Sequence, residues 1–450
     1  MLKRIQVDNF KSLKHLEYDC VGLNLLCGLN GAGKSSFVQL LRLLNKVAPL
    51  IRHPKAEIRA GEICCGGFRE LMYCYGSEPP RFNVMFTDES NKNTYSLVRR
   101  LFFSGRLSSQ RGEWITVERL DAHKIVNYLT DYDFDTDARR EYQELQESEH
   151  EGCVIPQEEL DAARQRCEIE SEKERVRVDR ELARMNEEDG AAADVFLDMW
   201  RGFRFVDAFR QKPQDVHKGG NYSGVELMID AVSEGALDVA FNPEGETTVE
   251  YLCKADGKIL DKVNECLQWV SPGARMEISK TDVGDEEYLI SSVNYGSTGK
   301  FKRFKPQNVG FGISYILPVL VVLLTAKRGN IIVVENPEAH LHPRGQAEFG
   351  KLIAATVARG VQIFVETHSD HVINGIRVAV KNGILKPEDV NVAFFERGPH
   401  DVVAKDGVKY EEVYSEVRNI KIDENGSLSE YPPDFMDEWN IQQMKLFRRK

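Results

Sequence analysis

The sequence predicts an α/β fold in which a parallel sheet carries helices on its faces, and two stretches predict it. Gly28 to Ser36, GLNGAGKSS, is a Gly-rich turn between the apolar run LNLLCG and SSFVQLLRLLNKV, whose apolar residues recur at helical spacing. Near the other end, NIIVVE, RGQAEFGKLIAATVARG and VQIFVETH follow as strand, helix and strand. Such intervals imply parallel strands joined by a crossover helix.

The elements between these stretches divide the chain into four parts. Residues 1–130 begin with alternating strands and the Gly-rich turn, then continue through short β-like runs (FNVMFTD, TYSLVRRLFF, EWITVERL) that predict an antiparallel extension of a first lobe. Residues 131–200 shift sharply in composition. Asp137 to Asp189 is rich in Glu and Arg, with Gly152 and Pro156 as punctuation, which predicts a charged helical hairpin, either a solvated surface pair or an arm for a partner. Residues 201–390 form a second lobe; the stretch from Ala192 to Gln307 predicts helices at AADVFLDMWRGF, VELMIDAVSEGA and ILDKVNECLQWV and strands at ARMEIS, EYLISSVNY and KFKRFK, before the βαβ stretch. Residues 391–450 are expected to be a small α+β C-terminal module.

Composition bounds the function. The 450 residues suffice for two or three domains, and an apolar fraction of 42% with 29% charged residues is that of a water-soluble globular chain. A net charge of −12 argues against indiscriminate coating of nucleic acid, which needs clustered Lys and Arg. FKRFKP, at Phe301 to Pro306, is either a small nucleic-acid contact or an ordinary exposed strand. The nine cysteines are odd in number and show no C-x-x-C spacing, as expected of reduced thiols in a cytosol. The longest apolar run, ISYILPVLVVLLTA, is too short to span a bilayer, so the expectation is a cytoplasmic protein with no membrane contact.

The motifs point to nucleotide chemistry. GLNGAGKSS satisfies G-x-x-x-x-G-K-[ST] in its confirming context of strand and helix, so the expected phosphate contacts are Gly28, Asn30, Gly31, Gly33, Lys34, Ser35 and Ser36. Backbone N–H groups of the turn cradle phosphates, Lys34 neutralises their oxygens, and Ser35 offers a hydroxyl to Mg²⁺. The run VVENPEAHLHP, Val333 to Pro343, brings Glu335 to the end of a strand as a second Mg²⁺ ligand. Asn336 follows it where a nucleotide hydrolase of this kind usually has a second carboxylate, and an amide accepts no proton at neutral pH. Glu338, or a water oriented by Asn336, is the candidate substitute. VETHSD, Val365 to Asp370, ends another strand and offers His368 to a γ-phosphate. His340 and His342 lie between prolines without a third ligand at metal spacing, so zinc is not expected.

Together these residues resemble the ABC-class ATPase heads of the SMC-like, RecF and overcoming-lysogenization-defect families. More closely they resemble bacterial AAA-type ATPases with a short C-terminal module of unknown function. In those families NFKSL, the P-loop, a signature loop, PEAHLHP and THSD recur in this order. The resemblance implies an ABC-type P-loop head binding ATP and Mg²⁺, and a homo-oligomer, at least a dimer, closed around nucleotide. The signature would be NVGFGISYILP, Asn308 to Pro318, presenting Gly310, Gly312 and Ser314 to a second subunit. It departs from the usual Ser-x-Gly opening.

No D-x-D follows His368, so no nuclease of the chain's own is expected; DYD and DFD between Asp131 and Asp135 flank helices instead. The resemblance implies a sensor or scaffold of an anti-phage system such as PARIS or Septu, and Asn336 in place of a second acid implies that it hydrolyses ATP slowly. It would control a separately encoded effector, a nuclease, on a phage protein or nucleic-acid trigger. The alternatives are a repair or chromosome-maintenance ATPase and, third, a transporter cassette.

Overall fold

The structure is a computed structural model. It describes residues 1–48, 55–59, 80–87, 94–108, 112–119, 193–208, 216–218, 248–255, 257–283, 286–295, 302–309, 311–403 and 409–447, with four positions at 162–163 and 165–166. The expected hairpin of 131–200 lies outside the described residues except for those four positions and the helical end at 193–200, as do the acidic triplets between Asp131 and Asp135 and the segment VELMIDAVSEGA.

The described chain runs β1 (Leu2–Phe10), β2 (Leu13–Asp19), β3 (Leu23–Gly28), α1 (Lys34–Val47), β4 (Lys55–Arg59), β5 (Arg81–Thr87), β6 (Thr94–Ser108) and β7 (Gly112–Arg119). Next come α2 (193–201), β8 (Arg204–Val206), β9 (Val216–Lys218), α3 (Thr248–Lys254), α4 (Gly257–Val270), β10 (Ala274–Val283), β11 (Glu286–Tyr295) and β12 (Lys302–Phe304). The remaining elements are α5 (Phe311–Thr325), β13 (Ile331–Glu335), α6 (Pro343–Ala358), β14 (Gln362–Glu366), α7 (Asp370–Lys381), β15 (Val390–Val403), β16 (Lys409–Ile420) and α8 (Glu438–Phe447).

The central sheet has the order β16-β15-β3-β14-β13-β8, and every pairing from β15 to β8 is parallel. Strands buried on both faces need near-continuous apolar runs, and LNLLCG, IIVVE and QIFVE supply them. Successive side chains point to opposite faces. Leu26, Val333 and Phe364 therefore join one core with α1, α2 and the strands of the N-terminal sheet, while Leu25, Val334 and Val365 join the other with α5, α6 and α7. This is a three-layer α/β arrangement with mixed pairing, since β16 is antiparallel to β15.

A second sheet, β2-β1-β5-β6-β7-β4, is antiparallel throughout, and a third joins β9, β10, β11 and β12. Helix α1 lies between the second sheet and the central one. Its Phe37 ring stands 4.7 Å from Tyr18 of β2, 6.2 Å from Phe364 of β14 and 6.0 Å from Phe395 of β15. Burying one such side chain contributes about 1.5–3 kcal/mol. Gln362, fully buried, ties the two sheets together, accepting from Leu2 N–H at 2.9 Å and donating to Leu2 and Val21 carbonyls at 2.9 Å.

The division at 390/391 does not fall between two bodies. β15 begins there and pairs with β3, the strand that carries the Gly-rich turn, over Val390↔Leu23 to Phe395↔Gly28. The C-terminal segment supplies two strands of the central sheet. Within KFKRFK, Lys302–Phe304 form a strand: β12 pairs with β11, and Arg303 holds Glu277 at 3.1 Å on the surface. No described helix is long and apolar enough to cross a membrane.

Candidate functional site

The parallel strands carry their carboxyl ends to one edge of the sheet, where open α/β folds bind ligands. At that edge β3 runs into the turn Leu29–Gly33 and then α1, so the helix N-terminus and its free N–H groups face outward. Two glycines are required by what surrounds them. Gly28 has φ 130° and a Cβ there would lie 2.2 Å from the Phe395 carbonyl oxygen; Gly33 has φ 111° and a Cβ would lie 2.6 Å from Ser415 Oγ. Asn30 and Gly31 form the exposed rim of the turn.

Lys34 is buried, and its Nζ donates to the carbonyls of Gly28 and Leu29 at 2.9 and 2.8 Å, so the ammonium sits across the turn it must serve. Burial pushes its pKa down, against the attraction of Glu366. Ser36 Oγ lies 3.0 Å from Ser12 Oγ, and Ser12 in turn accepts from Ser415 N–H at 3.0 Å through its carbonyl. The first turn of α1 is thus surrounded by hydroxyls from β16, from the β1–β2 connection and from itself.

Ser35 Oγ donates to Glu366 Oε1 at 3.2 Å. Glu366, absent from the sequence-based set, ends β14 and is almost fully buried. Burial raises its pKa while Lys34 and Ser35 lower it. Glu335 ends β13 in register with Glu366, but its Oε2 accepts from Ala208 N–H at 3.3 Å. Burial, with Asp207 and Glu366 nearby, pushes its carboxyl up to about 7, opposed by that hydrogen bond and by Arg42. The expected Ser35–Glu335 pair is not the one brought into contact.

The loop after β13 is fixed from several sides. Asn336, at φ 43°, donates its N–H to the Glu366 carbonyl at 2.8 Å, and Asn tolerates such a conformation better than most residues. Glu338 Oε1 accepts from His368 N–H at 2.8 Å, whereas its Oε2 is buried with no hydrogen bond. Gln346 donates to the Glu338 and Leu341 carbonyls and accepts from Ser369 Oγ at 2.6 Å, while Ser369 also caps α7. The two motif loops are therefore tied together by hydrogen bonds. The His368 side chain is exposed, and burial of its surroundings followed by Lys34 pushes its pKa down, favouring neutral imidazole.

Of the signature residues, Gly310 lies outside the described residues. Gly312 and half-buried Ser314 are in the first turn of α5, where a Cβ on Gly312 would lie 2.7 Å from the His340 carbonyl and the Tyr315 ring stands 4.6 Å from that of His340. His340 therefore supports the signature helix. Among the described residues no three His, Cys, Asp or Glu side chains could together hold a metal. Mg²⁺ on a nucleotide needs only one or two carboxylates, a hydroxyl and phosphate oxygens. Ser35, Glu335 and Glu366 offer hard oxygen donors of that kind, and the turn with Lys34 fits a polyphosphate.

The family described as "AAA ATPase domain" matches residues 1–173 and 242–373, more than half of the chain. The chain belongs to the AAA ATPase domain family. Residues 385–446 of this AAA ATPase match a second family, described as "Protein of unknown function (DUF3696)". No curated protein matches. Among solved structures the chain is similar to an SMC head bound to the C-terminal winged-helix domain of ScpA, at 13% identity and TM-score 0.44 over 92% of this chain and 97% of that one. It is also similar to the Smc head of Pyrococcus furiosus with an extended coiled coil, bound to the C-terminal domain of ScpA (12%, TM-score 0.38, 92% and 96%). A third is the SMC head domain of Thermotoga maritima (9%, TM-score 0.35, 91% and 98%).

Some positions that the structure brings to the candidate site were missed from the sequence. Glu366 stands inside VETHSD and opposite Glu335 in the strand register, a signal that was legible. Ser12 stands inside NFKSL. Ser415, in the ordinary alternating strand KYEEVYSEVRNI, gives no signal at all.

Proposed function

We propose that this AAA ATPase binds Mg·ATP at Gly28–Ser36 and hydrolyses it slowly, as a switch that stays loaded. What supports slow turnover most directly is the loop at Asn336 and Glu338. Asn336 cannot take a proton, while Glu338 has one carboxylate oxygen fixed by His368 N–H and the other buried and unbonded. A carboxylate so placed can accept a proton from an attacking water without being free to swing. Lys34 carries phosphate charge, Gly31 and Gly33 let backbone N–H groups converge, and neutral His368 is placed to donate to a γ-phosphate oxygen. Mg²⁺, when bound, supplies charge stabilisation to the phosphates. Positioning and electrostatics dominate phosphoryl transfer, so a weakened base slows the reaction without abolishing it.

The reading extends to a homodimer closed around nucleotide, with Gly312 and Ser314 of α5 offered to a second copy. It extends further to a sensor or scaffold role over a separately encoded effector, a nuclease, in anti-phage defence. The order of the motifs and the C-terminal segment support that role. Loss of a general base costs about 10²–10⁴ in rate, so Glu338→Gln at saturating ATP is expected to turn over at least roughly tenfold more slowly. Equal rates remove Glu338 from the mechanism. Plaque counts on cells carrying the native operon with Lys34→Ala test the defence role, and undiminished protection rejects it.

A further inference from the structure

We infer that helix α8 (Glu438–Phe447) is a docking helix for a second copy of this chain, paired antiparallel with the same helix of that copy across a two-fold axis.

The exposed surface comes first. No residue of α8 is buried. Among the described residues the four most exposed large apolar side chains all stand on it: Trp439 at 69%, Met444 at 60%, Leu446 at 78% and Phe447 at 81%. Trp439, Leu446 and Phe447 occupy positions i, i+7 and i+8, so they share one side of the helix, and Met444 stands one turn before Phe447. A surface helix that served only its own body would turn such residues inward. Here the reverse holds. The helix is nevertheless anchored at its start: buried Phe435 packs on Phe394 at 5.4 Å, and the Asp437 carbonyl accepts from Ile441 N–H at 2.9 Å. The apolar side is therefore presented from a fixed point.

The charges decide the occupant. Asp434, Asp437 and Glu438 stand at the start of α8, and no Lys or Arg occurs between Ile422 and Met444. Lys445 lies in the last turn, and Arg448, Arg449 and Lys450 follow in the sequence, with no Asp or Glu from Trp439 to Lys450. A helix acidic at one end and basic at the other finds its complement in itself turned end for end. Two such helices set antiparallel place each acidic start against the basic end of the other, oppose their macrodipoles, and make every contact twice, as a two-fold interface requires. A bilayer fits less well, since anionic headgroups that drew Lys445 would repel Asp437 and Glu438 beside Trp439. A partner of uniform charge satisfies one end only.

The position of α8 gives the contact a use. Phe435 and Met436, just before it, line the cavity shared with Leu29, Asn30 and His368 at the edge that carries the Gly-rich turn. Two copies joined through α8 keep those edges tethered with or without nucleotide, so closure around nucleotide becomes an intramolecular step at raised effective concentration. That consequence rests on the nucleotide reading above; the pairing itself does not.

The test is sedimentation of the purified full-length chain in EDTA without nucleotide, over a range of concentrations, where a contact that needs ATP is silent. A concentration-dependent dimer is expected. Trp439→Ser with Phe447→Ser removes the apolar side and is expected to raise the dimer dissociation constant at least about tenfold. Asp437→Lys with Glu438→Lys reverses the start of the helix, and Lys445→Glu with Arg448→Glu and Arg449→Glu reverses the end. Each set alone is expected to weaken its own dimer at least about tenfold, because like charges then meet at both ends. An equimolar mixture of the two is expected to recover the dimer, with labelled copies of one sedimenting with the other. Asp437 Oδ2 also accepts from Asp434 N–H at 3.1 Å. Should the first set fail to fold, Asp437→Asn with Glu438→Lys, which keeps an acceptor there, takes its place. A chain monomeric at every concentration overturns the inference, as does a dimer that all these variants leave intact, or a mixture that recovers nothing. Flotation of a monomeric wild type with vesicles of phosphatidylcholine and phosphatidylserine, lost in Trp439→Ser with Phe447→Ser, overturns it in favour of a bilayer.

Discussion

Replacing Gly33 by Ala tests whether the C-terminal strand β16 shapes the phosphate-binding turn. Two separate costs follow from the structure. At φ 111° a Cβ is strained wherever it sits, which costs about 1–3 kcal/mol. The same Cβ would also meet Ser415 Oγ at 2.6 Å and Cβ at 2.9 Å, with Ser12 Oγ at 3.0 Å. Ser415 is fully buried, so overpacking adds a further cost of about 1–3 kcal/mol. Gly33→Ala is therefore expected to lose about 2–6 kcal/mol in chemical denaturation and to weaken ATP binding, because the turn must shift to relieve the clash. Ser415→Gly in the same chain removes the two nearest of these atoms but leaves Ser12 Oγ and the backbone strain. The double variant should recover the overpacking part, about 1–3 kcal/mol, and no more. Both variants are measured by urea denaturation and by calorimetric titration with ATP. A double variant no more stable than Gly33→Ala alone would refute the claim that β16 packs under the turn, and full recovery would refute the strain at Gly33.

Lys34→Ala should abolish ATP binding in calorimetry, since its ammonium alone among the described cations lies across the turn; unchanged affinity rejects the phosphate site. In metal-free protein Glu335 holds a proton in the folded state up to about 7 that the unfolded chain releases near 4.5, so its stabilisation is full below about 4.5 and is lost as pH rises through about 7. Denaturation in EDTA between those values should show a falling stability that Glu335→Gln flattens; an identical slope in the variant refutes the burial of that carboxyl. Asn336→Glu should lower stability by about 1 kcal/mol, because φ 43° suits Asn better than Glu, while turnover measured by phosphate release holds or rises. A rate that collapses in a folded variant would show that added negative charge, not the missing base, governs this loop.

What the sequence made legible follows from periodicity and spacing. The P-loop, β13 and β14 were each marked by an apolar run ending in a polar cluster, and the parallel register then places all three clusters at one edge, as observed. The contact between Ser35 and Glu366 was not legible, because spacing within a strand says nothing of which strand lies beside β3. That order is a tertiary fact. The same holds for the C-terminal segment. A tail after the last motif looks like an appendage in sequence, yet its first strand completes the sheet beside β3 and its second puts Ser415 against Gly33. Phe435, further on, packs on Phe394 at 5.4 Å, and with Asp434 and Met436 it closes a cavity of about 190 Å³ lined also by Leu29, Asn30 and His368.

The charge distribution at this edge is divided between an acidic row and a basic turn. Parallel pairing brings Asp207, Glu335 and Glu366 to the ends of three neighbouring strands, and each raises or shares the burden of the next: Asp207 and Glu366 push the Glu335 carboxyl up, and Glu338 pushes Glu366. Such a row resists a free polyphosphate and attracts a divalent cation. One strand over, the turn with Lys34 and the N-terminus of α1 does the reverse, attracting phosphate and resisting the cation. Neither half is neutralised by its own partner alone. A divalent cation on the boundary between the two halves would relieve the repulsion within the acidic row, while the basic turn would take the phosphates. A cation and a polyphosphate that bind across this boundary have coupled affinities, each strengthening the other by the same factor.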